Sequence, residues 1–362
     1  MSELEKNIPS VQLEIAEPEI LRKGADRPLK LMAGKAIDLS TYRLDANGER
    51  IEPTDIELLH DLTPALAELI NQHYRVAKDW HPHDFIPWSE GRNFKFLGGE
   101  DWSPEQSRLD PVAQSAMTLN LLTEDNLPSY HREIAVKFGD HETWRHWVGR
   151  WTAEENRHGI ALRDYLTVTR GVDPVMLESM RMEHMTNGYD AGEKTLPEMI
   201  AYVTFQELAT RVSHRNTGKA AGDDIADQLL AQIAKDENNH MMLYRGLVTA
   251  TFNRAPNRMM KAILKEIKGF KMPGAGMPDF QDMALDIALA GIYDPPKHLK
   301  QVVLPTLEYW KVFSRTDLSG EGELARDELA ALMEKSKIGA DRFDNRREER
   351  IITVAKRRAR DS

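Results

Sequence analysis

The chain has 362 residues, of which 41% are hydrophobic and 29% are charged, and its formal net charge at pH 7 is −10. This composition is that of a folded globular protein, and the acidic balance argues against a general nucleic-acid binder. The absence of cysteine excludes disulfides, thiolate metal sites and iron–sulfur clusters. Any bound metal must therefore be held by histidine and carboxylate side chains, with backbone or water in support.

The N-terminal segment, residues 1–54, contains scattered proline and glycine and shows little periodicity, which predicts irregular structure. It has no apolar core of signal-peptide length, and it carries too many acids for a transit peptide. No run in the chain is apolar enough to span a bilayer. The sequence therefore predicts a cytoplasmic protein with no membrane span.

Helical periodicity dominates from about Asp55 onward, while alternating runs of β-branched residues are nearly absent. Helices are predicted at about 55–80, 111–138, 141–169, 176–185, 196–218, 223–252, 255–269, 279–291, 297–313 and 322–335. Pro128 lies inside the second of these and predicts a kink, because proline has no N–H to donate. The fold class is therefore all-α, with a helical domain over 55–335 and a basic C-terminal segment over 336–362.

A Glu-x-x-His motif occurs three times in the chain. The three copies are Glu57–His60, Glu155–His158 and Glu237–His240. The last two copies share further features, because each lies centrally in a long predicted helix. Each also has an acid directly before its glutamate, Glu154 in one and Asp236 in the other. These two copies are the candidates for a functional site.

Each of these two motifs has a matching glutamate on the preceding long helix. Glu124 precedes Glu155 by 31 residues, and Glu207 precedes Glu237 by 30. That spacing fits a helical hairpin that returns to the same height, and positions i and i+3 share one helix face. Four helices would then bring carboxylates and two histidines to one level, as in di-iron and di-manganese carboxylate bundles. Four carboxylates offset much of the charge of two divalent ions, and this donor set suits iron or manganese.

The alternative interpretation is that these residues are surface acids and satisfied histidines. It suits the pair Glu57 and His60, which has no partner glutamate. It does not suit the paired set, whose acids lie in apolar stretches such as MTLNLLTEDNL and MIAYVTFQELAT. Burying unpaired carboxylates is costly, so these stretches favour bound metal.

Four stretches resemble those of the soluble acyl-acyl-carrier-protein desaturases, typified by the plant stearoyl enzyme and its actinobacterial relatives. They are TEDNLPSY, WTAEENRHG, FQELATRVSHRNT and DENNH, and they occur in the order expected of that family. The resemblance covers most of the chain from about residue 55 and implies a ferritin-like di-iron four-helix bundle embedded in a larger helical domain. The motif DENNH departs from the plant enzymes, which carry two basic residues between the ligands.

Carried over residue by residue, the resemblance implies two iron ions per chain. Their ligands would be Glu124, Glu155, His158, Glu207, Glu237 and His240. It also implies a path that links His158 through Asp236 to Trp80, because a ligand histidine needs a partner on its other nitrogen. By internal symmetry, Glu154 is expected to serve His240 in the same way. Thr210 matches a family threonine beside the dioxygen site, where its hydroxyl would assist proton delivery; the alternative is a helical threonine bonded to a backbone carbonyl.

The implied function is the insertion of a cis double bond into a carrier-bound saturated acyl chain, with dioxygen and two electrons from a ferredoxin-type donor. A homodimer is expected from the family. Acyl carrier protein is acidic, so docking needs a local basic patch, while coenzyme A is the alternative carrier. The candidate patch is Arg254, Arg258, Lys261, Lys265 and Lys268, and the basic tail is a second candidate.

Other functions are compatible with the same ligand set. A hydroxylase, an N-oxygenase or a ribonucleotide reductase small subunit would use it, and a ferritin-like iron-binding protein belongs to another class. Ribonucleotide reductase is disfavoured by the all-glutamate ligand set and by the lack of an obvious radical tyrosine motif. Iron storage gives no reason for the roughly 120 residues after His240.

Overall fold

A computed structural model describes residues 43–44, 50–139, 141–271 and 280–361, all of which belong to one compact unit. Most of the predicted irregular segment 1–54 therefore lies outside the described residues. Within it, strand β1 (Arg43–Leu44) pairs antiparallel with strand β2 (Arg50–Ile51). No helix in the described part of the chain is both long and apolar enough to cross a membrane.

The rest of the described chain is helical, which confirms the all-α prediction. The helices are α1 (Asp55–Val76), α2 (Pro111–Asp125), α3 (Leu127–Phe138), α4 (Glu142–Val168), α5 (Pro174–Asn187), α6 (Leu196–Ala220), α7 (Asp224–Arg254), α8 (Pro256–Gly269), α9 (Phe280–Leu289), α10 (Pro295–Lys297), a π-helical turn (His298–Val303), α11 (Leu304–Tyr309) and α12 (Glu321–Asp361). The connection after α1 contains four short 3-10 turns and no longer element, as its Pro and Gly content predicts.

Three predicted helices differ in extent from the observed ones. The helix predicted over 111–138 is two helices that meet at Asn126, because Pro128 starts α3 where its missing N–H costs nothing. The helix predicted over 297–313 is interrupted by the π-helical turn. Helix α12 runs without a break through residues 335 and 336, so backbone structure does not mark the domain boundary predicted there. The three predicted domain limits stay predictions.

Polar side chains at the N-caps explain where the long helices begin. Thr54 and Glu57 form a reciprocal capping box at the start of α1, and Thr195 does the same with Glu198 for α6. Asp223 accepts hydrogen bonds from the first backbone N–H groups of α7. The capping role of Glu57 supports the structural interpretation of its Glu-x-x-His motif.

Helices α2, α4, α6 and α7 pack against one another as a bundle, and α1 lies against α4 and α7. Large side chains, among them Trp144, Trp147, Phe205 and Tyr244, are fully buried between them. This packing brings the centres of α4, α6 and α7 and the last turn of α2 to one level. The six predicted ligands come from those positions.

Candidate metal centre

All six predicted ligands lie together in the middle of the bundle. They are Glu124 on α2, Glu155 and His158 on α4, Glu207 on α6, and Glu237 and His240 on α7. All six are buried, and none is more than 7% exposed. Four helices therefore deliver two Glu-x-x-His pairs and two further glutamates to a single interior volume.

The ligand atoms fall into two groups that share one glutamate. His158 Nδ1 lies 3.5 Å from a carboxylate oxygen of Glu124, 3.1 Å from one of Glu155 and 3.2 Å from one of Glu237. His240 Nδ1 lies 2.7 Å from the other oxygen of Glu155. In each group the potential ligand atoms lie within 4.8 Å of one another. Glu155 therefore stands between two adjacent sites.

The second group is completed by Glu207, whose carboxylate oxygen lies 3.5 Å from His240 Nδ1. Several buried atoms that face the centre lie close to one another but make no hydrogen bond of suitable geometry among the described residues. They are Glu155 Oε1, Glu207 Oε2, Glu237 Oε1 and His240 Nδ1. Buried polar atoms are rarely left unpaired in folded proteins, so atoms that converge in this way indicate bound cations.

The electrostatics of the centre support the same conclusion. Burial and the neighbouring carboxylates of Glu155 and Glu237 raise the pKa of Glu207 well above its usual range. Burial alone would lower the pKa of His158 and His240, but the surrounding carboxylates, Glu155 foremost, together outweigh it and raise the pKa of both. Without metal, protons gather on this cluster; divalent cations compete with them for the same atoms. The oxygen and nitrogen donors fit two iron or manganese ions.

A hydrogen-bonded chain leads away from His158 on the side opposite the centre. His158 Nε2 lies 3.4 Å from Asp236 Oδ2, which also accepts from Trp80 Nε1 at 2.7 Å and from Arg157 at 3.0 Å. The Trp80 ring stacks on the His158 ring, with centroids 6.3 Å apart and planes inclined by 12°. The structure therefore brings together the three residues of the path inferred from the sequence.

A matching chain leads away from His240. His240 Nε2 lies 2.9 Å from Glu154 Oε2, and His73 Nε2 lies 2.9 Å from the same oxygen. The other oxygen of Glu154 lies 2.5 Å from Arg150. Glu154 is buried, as its inferred role beside His240 requires. Contacts with His240 and His73 outweigh burial and lower the pKa of Glu154, so its carboxylate is ionised.

Sequence analysis missed several residues that hold the ligands. His214 Nε2 lies 2.8 Å from Glu124, and Trp151 Nε1 donates to Glu207 at 3.0 Å. Both had a detectable signal, since His214 lies seven residues after Glu207 and Trp151 four before Glu155, on the same helix faces. His73 had none, because it comes from α1, outside the four ligand helices.

Thr210 lies at the centre and also bonds to its own helix. Its hydroxyl is 2.5 Å from Glu237 Oε2, 3.0 Å from the carbonyl oxygen of Glu207 and 3.1 Å from that of Gln206. A hydroxyl has one hydrogen and donates to one of these acceptors at a time. Both interpretations of Thr210 are therefore compatible with its position.

Gly159, one residue after His158, allows α2 and α4 to approach closely beside the centre. A Cβ atom at this position would lie 2.7 Å from Oδ1 of Asp125, the neighbour of Glu124. Real Cβ contacts are longer than this. Any larger residue at 159 would therefore force the Asp125 carboxylate, which pairs with Arg181, to move.

Two cavities adjoin the centre, and both contact Thr123 and Glu124. The first encloses about 30 Å³ and is lined mainly by large side chains, including Tyr130, Trp151, Met199 and Tyr202. The second encloses about 90 Å³ and is lined in part by α9. Both are much smaller than the range of about 300–1,000 Å³ typical of small-molecule sites, so a ligand that enters them must be thin or must displace side chains.

The five basic residues of the predicted carrier patch lie along α7 and α8, and each faces an acid of the same chain. The pairs are Arg254 with Asp61, Arg258 with Asp55, Lys261 with Glu321, Lys265 with Glu198 and Lys268 with Glu328. These ion pairs weaken the positive field that the sequence suggested for this surface. Docking of a carrier here stays a prediction.

The fold and the site together define a ferritin-like helical bundle with a buried binuclear carboxylate–histidine centre. A sequence model of the fatty acid desaturase family matches residues 54–358, so the chain belongs to that family. The family resemblance inferred from the motifs is thereby confirmed.

The comparisons include relatives from bacteria and plants. The chain is 52% identical over 299 residues to DesA1 of Mycobacterium tuberculosis, named as an acyl-acyl-carrier-protein desaturase, which covers 80% of this chain and 88% of that protein. It is 31% identical to a chloroplastic stearoyl-acyl-carrier-protein 9-desaturase of rice, over 75% of this chain and 76% of the rice protein. The crystal structure of DesA2 from M. tuberculosis superposes with a TM-score of 0.62 at 30% identity, and covers 72% of this chain and 97% of that one.

Proposed function

We propose that this protein is a di-iron desaturase that inserts a cis double bond into a saturated acyl chain held by a carrier protein, using dioxygen and two electrons. The observation that carries the proposal is the buried six-ligand centre, whose unpaired atoms converge beside two cavities. Membership of the fatty acid desaturase family supports the reaction, and the relatives named for acyl carrier protein support the carrier.

Two iron ions would be held by the six buried side chains. Glu124 and His158 would bind one ion, Glu207 and His240 the other, and Glu155 would lie between them, with Glu237 completing the set on the His158 side. When bound, the irons supply the oxidising power that side chains lack for an unactivated C–H bond. The chain's own contribution is to fix the ligands through Asp236, Glu154, His214 and Trp151.

The two cavities provide a path for the acyl chain past the centre. Because both contact Thr123 and Glu124, a chain that occupies both passes the Glu124 side of the ligand cluster. Tyr130, Met199 and Tyr202 line the first cavity and keep it narrow, so an acyl chain enters only where these side chains make room. Which carbons lie nearest the centre is then decided by how far the chain enters.

Thr210 is the candidate for proton delivery. Its hydroxyl contacts Glu237 and a backbone carbonyl at similar distances, so a small rotation moves its hydrogen between the centre and the helix. Thr210→Ala is expected to consume more dioxygen for each product molecule formed. Thr210→Ser is expected to keep dioxygen consumption coupled to product formation. Unchanged coupling in Thr210→Ala would leave only the structural role.

Carrier docking has a second candidate surface on α12. Arg342, Arg346 and Arg350 recur every four residues along one exposed face, beside a groove lined by Phe343 and His298. Among the described residues, none of these three arginines forms an ion pair, unlike the basic residues of α8. An uncompensated positive face suits an acidic carrier protein, while acyl coenzyme A is the alternative carrier.

Electron supply is proposed to come from a ferredoxin-type donor. A surface groove lined by Lys78, Arg211, Lys219 and Lys235 opens over Asp236, the middle residue of the chain that leads to His158. A basic groove above that chain suits an acidic redox partner. The homodimer and the cytoplasmic location stay predictions from the sequence.

The deciding experiment is mass spectrometry of a mixture of saturated acyl carrier proteins after incubation with iron-loaded protein, ferredoxin, its reductase, NADPH and air. Loss of two hydrogens is the expected result, and fragmentation then places the double bond. Gain of one oxygen would make the protein a hydroxylase with the same centre. Protein that binds no iron would overturn the metal assignment.

A further inference from the structure

The two histidines of the centre are supported by similar but chemically different chains. On the His158 side, the carboxylate of Asp236 accepts from the indole of Trp80, which stacks on the His158 ring. On the other side, Glu154 takes the place of Asp236, and His73 takes the place of Trp80. The His73 ring stacks on the His240 ring, with centroids 5.8 Å apart and planes inclined by 23°.

The surroundings of His73 determine which of its nitrogens carries the hydrogen. His73 is buried, its Nε2 lies 2.9 Å from Glu154, and its Nδ1 has no hydrogen-bond partner among the described residues. The edge of the ring also packs against Trp147, at a centroid distance of 5.1 Å. An ionised carboxylate only accepts hydrogen bonds, so Nε2 must be the donor. Nδ1 is then a bare acceptor, which is cheaper to leave unpaired than a buried N–H.

The same oxygen of Glu154 also accepts from His240. Oε2 lies 2.9 Å from the Nε2 atoms of both histidines, so two N–H groups converge on it from rings that stack on each other. With Nε2 donating, Nδ1 of His240 is the nitrogen directed at Glu155 and Glu207 and is the one available to a metal ion. Arg150 holds the other oxygen of Glu154, and His73 supplies the second donor at Oε2, so the two together set the orientation of the carboxylate that selects this tautomer.

We propose that His73 is a positioning residue that fixes His240 through Glu154 and so controls the affinity of one metal position, the one formed by Glu207 and His240. Trp80 performs the corresponding task for the position formed by Glu124 and His158. The inference rests on the proposed di-iron function. It predicts that each position has its own positioning donor, an imidazole for one and an indole for the other, although Arg157 lies near the carboxylates of both chains.

The test is a titration of metal-free protein with cobalt(II), followed by visible absorption, because cobalt reports each occupied position without turnover. Wild-type protein is expected to bind two ions per chain. Asn at position 73 places its amide near the position of Nδ1, away from Glu154, whereas Gln places an N–H near the position of Nε2. We therefore expect His73→Asn to weaken one of the two binding steps by about 10–100-fold, and His73→Gln to restore it.

Trp80→Phe is the matched control for the other half of the centre. It removes the donor to Asp236 and keeps an aromatic ring against His158, so it is expected to weaken the other binding step. Mössbauer spectra of iron-57-loaded protein should then show one altered iron signal in His73→Asn. In Trp80→Phe, the signal of the other iron should be altered. Far-UV circular dichroism and thermal unfolding of the metal-free variants show whether the fold is retained.

Two results would overturn the inference while leaving the proposed function intact. In the first, His73→Asn binds both ions with wild-type affinity. In the second, both binding steps weaken equally in His73→Asn and His73→Gln, which is general loosening rather than positioning. Wild-type protein that binds no metal would instead remove the di-iron proposal on which the inference rests.

Discussion

The buried centre and the surface of α8 differ in whether their charged side chains are paired within the chain. In the centre, four glutamates lie within the same interior volume, and carboxylate oxygens of three of them have no hydrogen-bond partner among the described residues. On α8, every lysine and arginine of the predicted patch is paired with an acid from another part of the chain. Charge that the chain itself compensates stabilises the fold. Charge that it leaves uncompensated in the interior must be matched from outside, which is the signature of a binding site.

The largest effect is expected from removal of Glu155, the glutamate shared by both metal positions. Glu155→Ala is expected to abolish the binding of both ions and to lower desaturation by more than the roughly 100-fold that loss of an outer hydrogen-bond partner costs. Iron per chain, measured by elemental analysis, and product yield check this outcome. Glu57→Ala, which changes the glutamate of the unpaired motif, is the control and should retain both ions. Retention of two ions by Glu155→Ala would contradict the shared position.

Removal of the metal should destabilise the interior and leave the surface pairs unaffected. At a free metal concentration of one hundred times Kd, each of the two sites stabilises the fold by about 2.7 kcal/mol, so chelation should lower Tm by about 7 °C in a chain of this length. Glu207→Gln should make the chelated protein more stable at neutral pH. The pKa of Glu207 is raised on folding, so this group opposes folding increasingly as the pH rises above the ordinary glutamate range. Calorimetry of the chelated wild type and of Glu207→Gln at pH 5 and pH 7 measures the stability difference between them, which should be larger at pH 7.

Charge reversal on α12 and on α8 tests which of these two basic surfaces binds the carrier protein. Arg342→Glu with Arg346→Glu, on the face without ion pairs, is expected to raise KM for acyl carrier protein substrates about tenfold. Lys261→Glu with Lys268→Glu is the matched change on α8, where each lysine already faces a glutamate, and it should raise KM less than threefold. Steady-state kinetics at low salt gives both values. The reverse order would restore α8 as the docking surface.

A smaller effect is expected from His298, a half-buried titratable group that has no charged partner among the described residues. It stacks on Phe270 at 4.7 Å and its Nδ1 lies 2.8 Å from the Tyr293 hydroxyl, while burial lowers its pKa to about 4. Its folded pKa is depressed, so the stability it contributes is present at neutral pH and falls between pH 6.5 and pH 4. His298→Gln should flatten this fall by at most about 1.4 kcal/mol per pH unit, as measured by denaturant unfolding.

The ligands of the centre were predictable because they follow from helix geometry within single segments. A Glu-x-x-His motif fixes two ligands on one face, and the nearly equal spacing of Glu124 and Glu207 from the two motifs indicates their height in a hairpin. The partners Asp236, Trp80 and Glu154 needed the family resemblance or the internal symmetry in addition. The six ligands nevertheless occupy one place in the structure, as the spacing requires.

The remaining contacts were not predictable because they join segments that are distant in the sequence. Nothing near His73 in the chain indicates that it reaches Glu154, 81 residues away. The same is true of Lys261, whose partner Glu321 lies 60 residues further on. Helical spacing predicted an exposed basic patch on α8. Spacing along one helix contains no information about the acids that α12 and α6 place beside these residues.

Gly159 has a consequence for attempts to build this chemistry elsewhere. A Cβ atom there would meet the tip of the Asp125 side chain, so the glycine leaves a gap for this carboxylate and for its pairing with Arg181, directly beside the ligand Glu124. A designer who transplants the six ligands into another four-helix scaffold would have to transplant this gap as well. Gly159→Ala would show whether the Asp125 side chain can make room for one methyl group without disturbing Glu124.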